Sequence, residues 1–265
     1  MAEVKKVVTD GFSTSYAVFG KGDRTLVIIP GLSVQSVMGA ADAVENQYKA
    51  LLDDFTCYLF DRREEVPSEY SVEQMAEDLV TAIKALGLKE LHIFGASMGG
   101  MMAQEIAINH PDLVSKVVLG STSSHVKKEQ IPLFEKWIRL AKERNSAALY
   151  ESFGEELYPP AVFAQVKDQF AEMSKTVTEA ELDKFIILAG CALDFDITDK
   201  LKNIKCPVLA IGDAEDAVLD GDATMEIAEN LDYRPDFRLF LYNGFGHAVY
   251  DVAPDYLKRM QEFFE

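Results

Sequence analysis

Residues 91–111 read LHIFGASMGGMMAQEIAINHP: an apolar run of the kind buried in a sheet, a cluster of small residues, then a longer stretch of helical character. Five of them, Gly95-Ala96-Ser97-Met98-Gly99, stand where strand would give way to helix. A serine at such an elbow occupies a sharp, strained turn, and glycines two positions to either side let neighbouring backbone approach without Cβ clashes. Its Oγ would then project above the edge of a sheet. The same residues also suit a glycine-rich turn carrying an incidental serine, so the rest of the chain has to decide between the two.

Seven further β-rich runs surround this one: VKKVV from Val4, STSYAVF from Ser13, TLVIIP from Thr25, FTCYLFD from Phe55, KVVLG from Lys116, PVLAIG from Pro207 and RLFLYN from Arg238. The first two alternate polar with apolar, as half-exposed antiparallel strands do, whereas LVII, VVL and VLAI are continuous and suit strands buried on both faces. Helical patterns lie between them. From Ser71 to Leu86 the residues Met75, Leu79, Ala82, Ile83 and Leu86 keep a 3.6 period; Ser71 with Gln74 predicts a capping box, and Gly87 a stop. Strands alternating with helices imply right-handed crossovers and an α/β fold, here a mostly parallel, doubly wound sheet of eight strands. A ligand site is expected outside the strands' carboxyl ends.

Between about residues 125 and 204 the strand pattern disappears. Helices are predicted near 129–144, 147–157, 161–174 and 179–192, with a Thr178/Glu181 capping box opening the last and Tyr158-Pro159-Pro160 breaking the middle. Residues 1–124 and 205–265 would then form the core, and 125–204 a helical insertion after the sixth strand.

A nucleophilic serine needs a base. Asn243-Gly244-Phe245-Gly246-His247 follows the last strand and precedes the final helix, which puts His247 in a loop at a strand's carboxyl end, where it can take the Ser97 Oγ proton. The other histidines fit less well: His92 begins a strand, His110 ends a helix before Pro111, and His125 starts the insertion. The base in turn needs a carboxylate to fix its tautomer and stabilise the imidazolium. After PVLAIG comes Asp213-Ala214-Glu215-Asp216-Ala217-Val218, in which three acids compete and at least two read as ordinary surface carboxylates. The order serine, acid, histidine is the one associated with this topology.

These pieces, VIIPGLS, GASMGG, VLAIGDAEDAVL and NGFGHAVYDVAPDYLKRMQEFF, resemble the α/β-hydrolase fold superfamily, of the capped serine esterase type that includes pimeloyl-carrier-protein methyl ester esterases. The resemblance covers nearly all of the chain outside the insertion, which falls where that family places a helical cap. It implies Ser97 as nucleophile, His247 as base and one of the three acids as its orienter. The family's usual count from the strand-ending glycine gives Glu215, whereas the Asp-x-Val pattern selects Asp216, the preferred residue, with Glu215 and Asp213 as alternatives. The resemblance further implies an oxyanion hole made by the backbone N–H groups of Met98 and Leu32. It also implies no metal and no organic cofactor. Two departures stand out: Pro30-Gly31 replaces the usual His-Gly before Leu32, and Asp61-Arg62-Arg63-Glu64-Glu65 stands where many relatives have Asp-x-Arg-Gly-x-Gly. The insertion's Phe134, Trp137, Leu140, Phe153, Phe163 and Phe170 could line an acyl pocket, although aromatic residues at helical spacing more commonly pack a cap onto its core.

Composition narrows the function classes. The 265 residues are 48% hydrophobic and 26% charged, ordinary for a globular protein, and 26 basic against 44 acidic residues leave a net charge of −18. Such a chain repels phosphate backbones and anionic lipid, so nucleic-acid and membrane partners are not expected. The insertion itself is nearly neutral, and the acid is concentrated on the core. Cys57, Cys191 and Cys206 are widely spaced, without metal-ligand spacing, and read as reduced and structural. No signal-type segment or run of about 18 apolar residues occurs, which predicts a cytoplasmic protein. The leading expectation is a serine hydrolase cleaving a small or medium carboxylic ester, working as a monomer or homodimer. The alternatives are a ligand-binding receptor of the same fold with little turnover, or a C–C bond hydrolase or acyltransferase using the same three residues.

Overall fold

The computed structural model describes residues 2–265. Eight strands, β1 (Glu3–Val8), β2 (Ser13–Gly20), β3 (Arg24–Ile29), β4 (Phe55–Phe60), β5 (Leu91–Ala96), β6 (Val114–Gly120), β7 (Val208–Asp213) and β8 (Phe237–Tyr242), form one sheet in the order β1-β2-β4-β3-β5-β6-β7-β8. β2 runs antiparallel to both of its neighbours, and every pairing from β4 to β8 is parallel. The continuous apolar runs are the central strands: β5 and β7 are buried at every residue. β1 is more exposed than its alternation predicts, with only Val7 buried, because it lies at the sheet edge.

The helices are α1 (Ala41–Gln47), α2 (Val72–Ala85), α3 (Met98–Asn109), α4 (Ile131–Lys142), α5 (Ser146–Leu157), α6 (Pro160–Ser174), α7 (Glu179–Leu193), α8 (Ala223–Leu231), α9 (Val249–Val252) and α10 (Tyr256–Phe264). Successive strand residues point to opposite faces. Val27, Ile29, Ile93 and Val117 join the cluster packed by α2, α3 and α8, whereas Leu26, Ile28, Phe94 and Val118 join the one packed by α1 and α10. The sheet is therefore doubly wound. Ser71 caps α2 by accepting from the Gln74 amide at 3.1 Å, but only Thr178 and Glu181, at α7, form both bonds of a capping box.

α4 to α7 lie between β6 and β7. Their segment is closed at its neck by the Ile197 amide, which donates to the Ser124 carbonyl at 2.9 Å, and by a bridge between His125 and Asp196. At the other end of the sheet, His92 is wedged between the rings of Phe55 and Phe264, each 5.2 Å away, and burial pushes its pKa down to about 4. It is a packing residue, remote from the carboxyl ends of the strands. All three cysteines are buried and unpaired, and burial pushes the Cys57 thiol up to about 12. Among the described residues no helix is long and apolar enough to cross a membrane.

Candidate active site

The sheet order reverses direction between β3 and β5, so the loops leaving these neighbours diverge and open a crevice above the sheet. Ser97 follows β5 at this point, with φ 53° and ψ −123°. Positive φ is costly for a residue with a Cβ, and it persists only where the surroundings over-determine it. Here they do. The Ser97 amide donates to the Gly120 carbonyl of β6 at 2.8 Å, and the Ser97 carbonyl accepts from Thr122 Oγ1 at 2.7 Å and from the Gly100 amide at 2.8 Å. A Cβ on Gly95 would overlap the Gly99 carbonyl, and one on Gly99 would overlap the Ile29 carbonyl. The turn thus closes only around glycine at both positions singled out in the sequence.

His247 stands in the loop between β8 and α9 and is 1% exposed. Its Nδ1 lies 2.7 Å from Asp216 Oδ2. The second Asp216 oxygen accepts from the Val218 and Leu219 amides at 2.8 and 3.0 Å, so the backbone fixes the carboxylate plane that faces the ring. The competing acids are sorted by the same loop. Asp213 is buried and spans two loops, accepting from the Glu215 amide at 2.8 Å and from the Phe245 amide at 2.9 Å, and so ties the acid loop to the histidine loop. Glu215 points to solvent. The His247 loop is also held from the insertion: the Ala248 amide donates to the Leu157 carbonyl at the end of α5, at 3.0 Å.

Ser97 and His247 line one cavity of about 210 Å³, together with Leu32 and Met98. Met98 is the first residue of α3, where amides have no partner within the helix, and Leu32 lies in the loop after β3. Among the described residues neither amide has an acceptor.

The loop carrying Leu32 is held in a way the sequence left unread. Arg62, 7% exposed, donates from Nη2 to the Pro30 carbonyl at 2.6 Å and at 3.5 Å to that of Gly31. Burial pulls its pKa down, opposed by Asp61, whose Oδ1 accepts the Arg62 amide at 2.7 Å while its Oδ2 accepts from Ser36. The signal was the first of two adjacent arginines in a loop that departs from the family pattern, but nothing in the sequence said which would turn inward.

Of the insertion's aromatic residues, Phe134, Trp137 and Phe153 reach the cavity, with the Trp137 ring 4.2 Å from Phe153 and 5.3 Å from Phe134. Leu140, Phe163 and Phe170 do not line it; Phe163 and Phe170 pack on each other. The lining also holds a carboxylate, Asp251, which sequence reading passed over. Among the described residues no cluster of three or more His, Cys, Asp or Glu side chains is arranged to hold a metal.

The model of the alpha/beta hydrolase fold family matches residues 24–254. A protein of Agrobacterium fabrum described as "Putative carbamate hydrolase RutD" is 27% identical over 241 residues, spanning 88% of this chain and 91% of the relative. MGS-M2, an alpha/beta hydrolase enzyme from a deep-sea metagenome library of the Medee basin, superimposes with a TM-score of 0.86 at 21% identity, over 98% of this chain and 97% of that one. The enol-lactonase of Burkholderia xenovorans LB400 does so with a TM-score of 0.84 at 17% identity, over 98% and 99%.

Proposed function

The chain belongs to the alpha/beta hydrolase fold family and is a hydrolase of that fold, and from this premise we propose that it cleaves a small or medium carboxylic ester through an acyl-enzyme on Ser97. The observation that carries the reading is the His247–Asp216 pair, 2.7 Å apart, opening onto the same apolar cavity as a serine held at positive φ.

In the proposed reaction Ser97 Oγ attacks the carbonyl carbon as its proton passes to His247 Nε2. Asp216 holds Nδ1–H and so leaves Nε2 free to accept. The carbonyl oxygen becomes an oxyanion, met by the Leu32 and Met98 amides; one such donor is worth about 2.7–4 kcal/mol in the transition state. Collapse breaks the bond to the alcohol oxygen, which takes the proton from His247. Water then adds to the acyl carbonyl, giving its proton to His247, and the carboxylic acid leaves as Ser97 Oγ is reprotonated. Leaving the Leu32 loop without its usual histidine does not remove a backbone donor, and Arg62 supports that loop from beneath by holding its carbonyls.

Residues 125–204 act as a cap in this reading, since Phe134, Trp137 and Phe153 supply the far wall of the acyl site. The same attack would open a carbamate, and the name of the Agrobacterium relative favours including carbamates among the substrates to be tried. Labelling with a fluorophosphonate followed by peptide mapping, beside turnover of p-nitrophenyl esters from acetate to octanoate and of an aryl carbamate, tests the proposal. Modification of Ser97 with turnover is expected. Labelling without turnover would transfer the protein to the receptor reading, and absence of both would return Ser97 to a structural turn.

A further inference from the structure

The lining of the cavity is chemically mixed. Phe134, Trp137 and Phe153 of the insertion give it aromatic surface, and Asp251, Gln47, Tyr48 and Tyr250 give it polar groups. Three remote segments meet there: Asp251 lies in α9, Gln47 ends α1, and Tyr158 follows α5. Tyr158 donates its hydroxyl to Asp251 Oδ2 at 3.0 Å; Gln47 donates to Asp251 Oδ1 at 3.3 Å and to the Tyr250 carbonyl at 2.9 Å.

Asp251 has no counter-charge of its own kind of strength. Among the described residues no lysine or arginine pairs with it, and none lines the cavity. Among the described residues, the group whose charge lowers the pKa of Asp251 is His247, and that ring is already engaged by Asp216. Asp251 is exposed and lines the cavity, so a ligand there can reach its carboxylate. The protein packed around it raises its pKa, opposed by the hydrogen bonds from Tyr158 and Gln47. A carboxylate in this lining whose hydrogen-bond partners are neutral attracts a cation arriving with a ligand. Tyr48 and Tyr250 line the same cavity and pack against Phe94, with centroids 6.2 and 6.3 Å away, and aromatic lining of this kind attracts cations.

We propose that Asp251, with Gln47, Tyr48 and Tyr250, forms a subsite for a positively charged primary amine carried by the substrate, so that the protein prefers aminoalkyl esters or carbamates to their neutral counterparts. This rests on the reading of Ser97 as the nucleophile of the same cavity, but ammonium binding does not require turnover. The net charge of −18 adds to it, since an acidic surface draws cations toward the mouth and raises their encounter rate at low salt.

The test uses n-butylammonium against n-butanol. Trp137 is the only tryptophan of the chain and lines the cavity, so its fluorescence reports occupancy directly. The titrations are made with the wild-type protein, with Ser97→Ala, and with Asp251→Asn, a replacement of equal size that can still accept from Tyr158. The expected result is a preference for the ammonium of about tenfold or more in wild type and in Ser97→Ala, about 1.4 kcal/mol, falling below about twofold in Asp251→Asn. Added salt should narrow the preference. Equal binding of amine and alcohol by the wild type would overturn the proposal, as would a preference that survives Asp251→Asn. Competition against p-nitrophenyl acetate hydrolysis supplies a second readout: butylammonium should inhibit the wild type about tenfold better than butanol does. If Asp251→Asn instead slowed turnover while leaving the amine-to-alcohol ratio intact, its carboxylate would act on His247 and not on a ligand. A preserved ammonium preference in a protein with no esterase turnover would keep the subsite and discard the hydrolytic reading.

Discussion

The wall of the cavity built from the sheet and the wall built from the insertion differ in how their side chains are held. On the sheet side the polar groups are held by directional hydrogen bonds: Ser97 by the Gly120 carbonyl and the Thr122 hydroxyl, Asp216 by the Val218 and Leu219 amides, and the Leu32 loop by the Arg62 guanidinium. On the insertion side the lining is Phe134, Trp137, Phe153, Leu157 and Ala192; the three rings pack together, with Trp137 Nε1 donating to Ser152 Oγ at 3.1 Å. Directional bonds fix atoms to within tenths of an ångström, which proton transfer requires, whereas apolar packing fixes a volume and tolerates exchange of shape. The first wall thereby fixes the positions of its polar atoms, and the second sets the shape of the cavity.

That contrast breaks most visibly at Ser97. Ser97→Ala should lower kcat/KM for p-nitrophenyl butyrate by about 10⁴-fold or more while circular dichroism stays native, because removing a nucleophile leaves only binding and the oxyanion donors. Unchanged turnover would place the chemistry elsewhere in the cavity. Asp216→Asn should cost nearly as much, about 10⁴-fold, by favouring the wrong imidazole tautomer, whereas Glu215→Gln, a solvent-facing change, should stay within about twofold. A reversed order would mean that the loop rearranges when substrate is bound. Arg62→Met should lower kcat by between about tenfold and about a hundredfold, less than loss of a whole oxyanion donor, with KM little changed. Arg62→Lys should recover part of it, since an ammonium can still reach the Pro30 carbonyl; a loss of thermal stability with kcat intact would reduce Arg62 to a packing role. The smallest effect is expected on the other wall. Phe153→Leu should change kcat/KM for acetate by less than about twofold and that for octanoate by about fivefold, shifting the chain-length profile without touching the pH profile.

The legibility of the sequence follows the same division. The strands were readable because β5 and β7 are apolar without interruption, and only strands covered on both faces tolerate that. Ser97 and His247 were readable because glycines mark the tight turns beside them: Gly95 and Gly99 meet backbone, and Gly246 has a φ of 72°. Asp216 could be preferred but not separated from Glu215, since the choice depends on which carboxylate receives the Val218 and Leu219 amides, a matter of loop conformation. Arg62 and Asp251 escaped altogether. Arg62 reaches back 32 residues to Pro30, and Asp251 meets Gln47 across 204, and neither spacing leaves a periodic trace. Among the aromatic residues of the insertion, period alone could not tell Phe153, which faces the cavity, from Phe170, which does not.

The bond from the Ala248 amide to the Leu157 carbonyl bears on how this protein could be re-engineered. Exchanging the helices between β6 and β7 for those of another protein looks like a modular way to alter substrate range, because both ends of the insertion meet at a narrow neck. The histidine loop, however, is moored to the module that would be removed. A transplanted segment that brings suitable aromatic residues but no carbonyl at the Leu157 position would arrive with its pocket and lose the footing of the His247 loop, so successful chimaeras should be those whose crossover points lie inside 158–196, leaving α5 with its original owner.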